Sequence, residues 1–230
     1  MTEKTFPRTL ICLLALAVSC IPALAQRNHP LSFHVSPGAN SVVTPYHENL
    51  PAATAVIFTN FGTGTTVYYP LNGWVVAGPN ETTFTGAQWV GIPFTAKSNS
   101  HVTTLQAALG YLGGTNAAQL ELYADDGSSG TAGVPGNPGT RLATSTVRNL
   151  QPFGTCCTVT ATGRIGGTTG IALTAGTIYW VVMDTSATSD FAGAVAFSND
   201  SLTDFNLDDG NGWSGIIDGA PAVKVSGTVP

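Results

Sequence analysis

Residues 104–124 read Thr104-Leu105-Gln106-Ala107-Ala108-Leu109-Gly110-Tyr111-Leu112-Gly113-Gly114-Thr115-Asn116-Ala117-Ala118-Gln119-Leu120-Glu121-Leu122-Tyr123-Ala124. In the first half, Leu105, Ala107, Leu109 and Tyr111 alternate with Thr104, Gln106, Ala108 and Gly110. In the second, Ala118, Leu120, Leu122 and Ala124 alternate with Gln119, Glu121 and Tyr123. A period of two sends successive side chains to opposite faces of an extended chain. Two such runs around Gly113-Gly114-Thr115-Asn116 predict a hairpin with one buried face.

The same signature continues in both directions. β-rich runs occupy 54–58, 65–69, 88–94, 142–147, 155–161, 192–197 and 222–226, and Trp74-Val75-Val76 follows a Pro70-Leu71-Asn72-Gly73 turn. Ile178 to Met183 is apolar at every position, which predicts a strand at the centre of its sheet. Residues 125–140 and 198–219 read as loops, the first rich in Gly and Pro, the second in Asp. About ten short strands with turn residues between them predict an all-β chain, an antiparallel β-sandwich of jelly-roll type.

Composition points the same way. Only 9% of the residues are charged, far too few for a helical bundle or coiled coil. A mean hydropathy of +0.19 excludes a mostly disordered chain. The net charge of −5 gives no electrostatic basis for binding nucleic acid or an anionic membrane surface.

The N-terminus reads as an address. Lys4 and Arg8 precede an apolar run from Thr9 to Ala25 that ends in Ala23-Leu24-Ala25, the pattern of a signal-peptidase site. Residues 1–25 are therefore expected to be a secretory signal peptide, too short for a membrane span. No later segment predicts a transmembrane span. An alternative is a lipoprotein anchored through Cys20, since Leu16-Ala17-Val18-Ser19-Cys20 approximates a lipobox. Residues 26–53, with four prolines and three histidines in no period, read as an irregular leader, and 54–230 as the sandwich domain. Past the signal only Cys156 and Cys157 remain. Adjacent Cα atoms are ~3.8 Å apart, short of ordinary disulfide geometry. A strained vicinal disulfide, two thiols and links between chains all stay open.

Four stretches carry a family resemblance: Trp89-Val90-Gly91-Ile92-Pro93-Phe94-Thr95; Leu120-Glu121-Leu122-Tyr123-Ala124-Asp125-Asp126 with Pro138-Gly139-Thr140-Arg141-Leu142-Ala143; Leu173 to Val182; and Pro221-Ala222-Val223-Lys224-Val225-Ser226-Gly227. With them, residues 54–228 resemble the secreted bacterial choice-of-anchor domains, type R most closely. The resemblance implies an exported β-sandwich of uncharacterised function, with no catalytic residues to carry over. The chain departs from the pattern in ending at Thr228-Val229-Pro230 without an apolar sorting tail.

No chemistry announces itself. There is no G-x-S-x-G motif, and His101 falls in a polar stretch read as a turn. Asp200, Asp204, Asp208, Asp209 and Asp218 supply hard oxygen donors in a Gly- and Asn-rich segment, a candidate calcium set, although the spacing is not that of an EF-hand. Asp125 and Asp126 are a second, weaker candidate. Trp74, Trp213, Tyr68 and Tyr69 lie in or near loops and could present rings to a glycan; Trp180 reads as core, and Trp89 could go either way. The expectation is a non-enzymatic secreted sandwich with a structural or interaction role at or outside the cell envelope, its partner an envelope protein or a glycan. The alternative is a carbohydrate-binding module, with calcium as its one conceivable cofactor.

Overall fold

The computed structural model describes residues 30–35, 54–63, 67–84, 86–156, 161–200 and 204–230. Residues 1–25, read as a signal peptide and including Cys20, the stretch read as leader apart from 30–35, and Cys157 lie outside the described residues. In chain order the first strands are β1 (Ser32–His34), β2 (Ala55–Thr59), β3 (Tyr68–Ala77), β4 (Trp89–Thr95), β5 (Ser100–Ala107) and β6 (Leu109–Gly113). Next come β7 (Ala117–Asp125), β8 (Pro138–Arg148), β9 (Ala161–Arg164), β10 (Ile171–Leu173) and β11 (Ile178–Asp184). The chain closes with β12 (Ala192–Ser198), β13 (Asp204–Asp208), β14 (Trp213–Ile217) and β15 (Val223–Thr228). Among the described residues no helix is long and apolar enough to cross a membrane.

The strands form three antiparallel sheets packed together as a β-sandwich. One sheet has the order β1-β3-β12-β6, a second β10-β5-β15-β2 with β9 also on β5, and the third β14-β13-β4-β11-β7-β8. The predicted position of Ile178–Met183 is correct: β11 lies inside the six-stranded sheet, between β4 and β7. Its Tyr179, Val181 and Met183 face the common core with Val90, Ile92, Phe94, Leu120, Leu122, Phe205 and Leu207.

The predicted hairpin of residues 104–124 does not form. The run is split among three sheets: β5 pairs with β15, β6 with β12, and β7 with β11 and β8. Ala108 is the first break, its N–H donating to Ala222 O at 3.0 Å and its carbonyl accepting from Ala196 N at 2.9 Å. The Gly-Gly turn is the second. Gly114 has φ +74°, and a Cβ there would lie 1.9 Å from Asp190 O. Thr115 N–H donates to Asp190 Oδ1 at 3.0 Å, and the Asn116 amide exchanges two 2.9 Å hydrogen bonds with Leu150. Tertiary anchors hold this turn and carry the chain from one sheet to another. Period-two patterning reports faces correctly but says nothing about which strand is the partner.

Three other expectations are corrected. Pro70-Leu71-Asn72 is not a turn before Trp74; β3 runs through it. Opposite these residues the β12 register jumps from Ala196↔Gly73 to Phe197↔Tyr69, so they form a bulge. The Asp-rich segment is not all loop, because Phe205 and Leu207 alternate with Asn206 and Asp208 and make β13, which pairs with β14. Ser32–His34, inside the stretch read as leader, adds strand β1 to the edge of β3.

Buried polar groups tie the sheets at their ends. Asn60, fully buried, donates from Nδ2 to Pro221 O at 2.8 Å and accepts Val223 N–H on Oδ1 at 2.7 Å. Its carbonyl takes the Ser198 hydroxyl. Removing that amide orphans a buried carbonyl and a buried N–H. Asn60→Ala is therefore expected to lower the unfolding free energy by about 2–4 kcal/mol in urea titrations with little change in m-value; a loss under about 0.5 kcal/mol contradicts this role for Asn60.

Candidate ligand-binding face

The six-stranded sheet turns one face to the core. Its other face carries the buried polar side chains Glu121, Asp184, Asn206 and Asp208. Register defines rows across it. Trp213 and Trp89 both pair with Asp208, one from β14 and one from β4. One step past the Met183–Val90 pair, Trp89 stands beside Asp184 of β11, which pairs with Gln119 of β7, which pairs with Thr146 of β8. The first row is thus Trp213, Asp208, Trp89, Asp184, Gln119 and Thr146. The second is Gly215, Asn206, Gly91, Val182, Glu121 and Thr144. The third includes Pro93, Trp180, Tyr123 and Arg141.

The connection between β7 and β8 folds back over the second and third rows. Asp125 and Asp126 make the fold-back. Asp125 accepts Gly127 N–H on Oδ2 and both Gly136 N–H and the Trp180 indole N–H on Oδ1, at 2.9, 2.9 and 2.8 Å. Asp126 Oδ1 accepts Ser128 N–H and Asn137 N–H, both at 2.8 Å. Partial desolvation works against its charge, yet these donors hold the Asp126 carboxyl below its ordinary range. Across the sheet, Asn206 Nδ2 donates to Gly136 O at 3.1 Å and to Asn137 Oδ1 at 2.7 Å. Over Gly91 the cover closes: a Cβ there would stand 3.3 Å from the Trp213 ring and 3.4 Å from both Pro138 and Val182.

Under this cover lies a charged cluster. Glu121 is fully buried. Its Oε1 accepts from Arg141 Nη1 at 2.9 Å, and its Oε2 takes the Tyr123 hydroxyl at 2.8 Å. Asp184 lies one strand away and diagonal to it. Burial, opposed by the Thr185 amide and reinforced by the Glu121 charge, pushes the Asp184 carboxyl up to about 7. Burial and the Glu121 contact raise the Tyr123 hydroxyl, and the Glu121 charge raises Arg141. Arg141 supplies the positive charge paired with Glu121.

The structure scatters the residues singled out from sequence. Trp74 is corrected: it is core, its ring 5.5 Å from Phe197 and 5.0 Å from Phe205, its indole N–H on Gly219 O at 2.7 Å. Tyr68 is corrected likewise; it is buried, its hydroxyl donates to Thr155 O, and burial pushes it up to about 12. Tyr69 is exposed, but on a different sheet from Trp213. Only Trp213 belongs to the outer face, where register joins it to Trp89; both are half-buried.

The five aspartates do not converge. Asp204 and Asp208 end opposite ends of β13, about 13 Å apart at strand rise. Asp218 follows β14 near Asp204, and Asp209 follows Asp208. Asp208 Oδ1 accepts Gly210 and Gly212 N–H, Asp209 Oδ1 accepts from Asn211, and Asp218 Oδ1 accepts Gly219 N–H. Asp200 is exposed in the preceding connection. Among the described residues no group of three or more His, Cys, Asp or Glu side chains could hold a metal ion. His101 lies on β5, not in a turn, paired with Ala172 and Thr228. Cys156 is buried and disulfide-bonded; every other cysteine, Cys157 included, lies outside the described residues.

Sequence reasoning missed Asp184, Glu121, Gln119 and Arg141. The one signal present was polar residues interrupting otherwise apolar strands, Glu121 between Leu120 and Leu122 and Asp184 after Met183. Comparison of the chain with protein-family models, with curated proteins and with solved structures finds no match.

Two predictions follow from this geometry. A carboxyl raised in the fold above its unfolded value stabilises the fold fully at low pH, and that contribution is lost as pH rises toward the folded value. The groups facing Asp184 are Glu121 and Tyr123 from β7, Arg141 from β8 and Trp89 with the Thr185 amide beside it. The midpoint of thermal unfolding should fall by roughly 5 °C between pH 4 and pH 7, and Asp184→Asn should flatten that slope. An unchanged slope in the variant excludes Asp184 as its source. Separately, Trp180→Phe removes the indole N–H from Asp125, and limited proteolysis should then cut within 126–137 several-fold faster than in the parent; equal rates disconnect that hydrogen bond from loop closure.

Proposed function

We propose that the chain is a secreted, non-enzymatic β-sandwich module that binds a component at or outside the cell envelope, and that it does so through the outer face of the six-stranded sheet. The observation that carries this reading is the first row, Trp213-Asp208-Trp89-Asp184-Gln119-Thr146. It lies beside a folded-back loop, on a sheet whose opposite face is core, and combines half-buried indoles with polar side chains. Surfaces that recognise ligands pair aromatic area with a few fixed polar groups.

Export is supported by the basic and apolar N-terminus ending in Ala23-Leu24-Ala25 and by the disulfide at Cys156, a bond suited to an oxidising compartment. The choice-of-anchor resemblance agrees. A binding role is favoured over catalysis because Glu121 is fully buried and already bonded to Arg141 and Tyr123.

Sedimentation with isolated cell envelopes, peptidoglycan and insoluble polysaccharides tests the reading. The protein should pellet with at least one of these. Gln119→Arg together with Thr146→Arg should abolish pelleting, while Thr162→Arg on the five-stranded sheet should leave it intact. No pelleting, or pelleting indifferent to the outer-face change, overturns the assignment.

A further inference from the structure

The first row also constrains what kind of ligand fits. Its charges are already engaged. Asp208 Oδ1 accepts two backbone amides of the β13–β14 turn. Asp184 accepts the Thr185 amide N–H, and Glu121 is paired with Arg141. Arg141 belongs to the third row, and the first row contains no cation to receive an anionic polymer. What remains for a ligand is the partly exposed surface of two indoles, the Gln119 amide and the exposed Thr146 hydroxyl.

The indoles stand on β14 and β4 with one strand between them, so their Cβ atoms are separated by about 9.6 Å, two strand spacings. That spacing suits two rings of one ligand rather than a single ring. The Trp213 ring reaches over Gly91, where any side chain would meet it at 3.3 Å, so the glycine sets how low the ring can lie on the sheet. Trp89 is oriented by its N–H to Thr185 Oγ1 at 3.4 Å. Planar apolar rings flanked by uncharged hydrogen-bonding groups complement the alternating apolar faces and hydroxyl edges of a pyranose chain.

We infer that the first row is the binding site for a neutral polysaccharide laid across the strands, with sugar rings on Trp213 and Trp89 and hydroxyls on Gln119 and Thr146. This rests on the proposed use of the outer face. It replaces Trp74, Tyr68 and Tyr69 as the ring set a glycan would meet.

Affinity electrophoresis in native gels tests it, with hydroxyethyl cellulose, soluble xylan and laminarin as neutral probes and polygalacturonate as the charged control. At least one neutral polymer should retard the protein and polygalacturonate should not. Trp213→Ala and Trp89→Ala should each weaken retardation by up to about tenfold, the worth of one ring contact. Gly91→Val, which displaces the Trp213 ring while leaving the indole in the sequence, should weaken it similarly. Unfolding midpoints of all three variants are measured alongside, and Trp213→Phe, which keeps a ring, should retain part of the binding. The inference fails if no neutral polymer retards the protein, or if folded Trp variants bind as the parent does. Should envelopes still be bound in a Gln119- and Thr146-dependent way while neutral polymers are not, the glycan assignment alone is overturned and the face keeps its role. Loss of both overturns both.

Discussion

β11 is apolar on both sides, and a strand of that kind has to be covered twice. The inner side is covered by the common core through Tyr179, Val181 and Met183. The outer side presents Trp180 and Val182, both fully buried, although among the described residues no fourth sheet lies above them. The cover is assembled from pieces: the 126–137 connection pulled down by Asp125 and Asp126, Pro138 at the start of β8, and Trp213 reaching in from the edge strand β14. Burying two such side chains is worth several kcal/mol, enough to order a Gly- and Pro-rich loop that local propensity would leave open.

The same cover takes the neighbouring polar residues out of water. Glu121 lies between Leu120 and Leu122 in a strand whose alternation sends it outward, and outward here means beneath the loop. An isolated carboxylate in that place would be strongly destabilising. The fold answers with Arg141 from the adjacent strand and Tyr123 two residues along. Arg141 can reach Glu121 because the β7–β8 register slips at Leu122/Tyr123, bringing Arg141 opposite Tyr123. The β-bulge, the ion pair and the raised Asp184 thus share one cause, the burial of the sheet's outer face.

Much of the fold was legible because alternation and apolar runs report burial directly. β4, β7, β11 and β15 stand where the patterns put them, and the class is all-β as expected. Pairing was not legible, because partner choice depends on tertiary anchors. The Gly113-Gly114 turn would serve a hairpin equally well on local grounds, and Asp190 and Leu150 decide otherwise. β13 was hidden because its outward residues are Asn206 and Asp208, which read as loop chemistry until Phe205 and Leu207 are seen to share the core. For the face, Trp213 was legible in the sequence, but Trp74 read the same way. The two differ in their surroundings: Trp74 is buried against Phe197 and Phe205 from two other strands, whereas Trp213 stands half-buried on the edge strand with its ring over Gly91.

The balance of charge on the outer face bears on what it can do. A cleft meant to break a glycosidic bond keeps two carboxyl groups apart, with room for the sugar or a water between them. Glu121 is instead bonded to Arg141 and Tyr123, and the indole of Trp180 is spent on Asp125 rather than turned toward solvent. The groups left at the surface, two indoles, an amide and a hydroxyl, have contact area and hydrogen bonds to give but no proton to move near neutrality. The outer face thus leaves contact area and hydrogen-bonding groups at the surface while Glu121 stays buried.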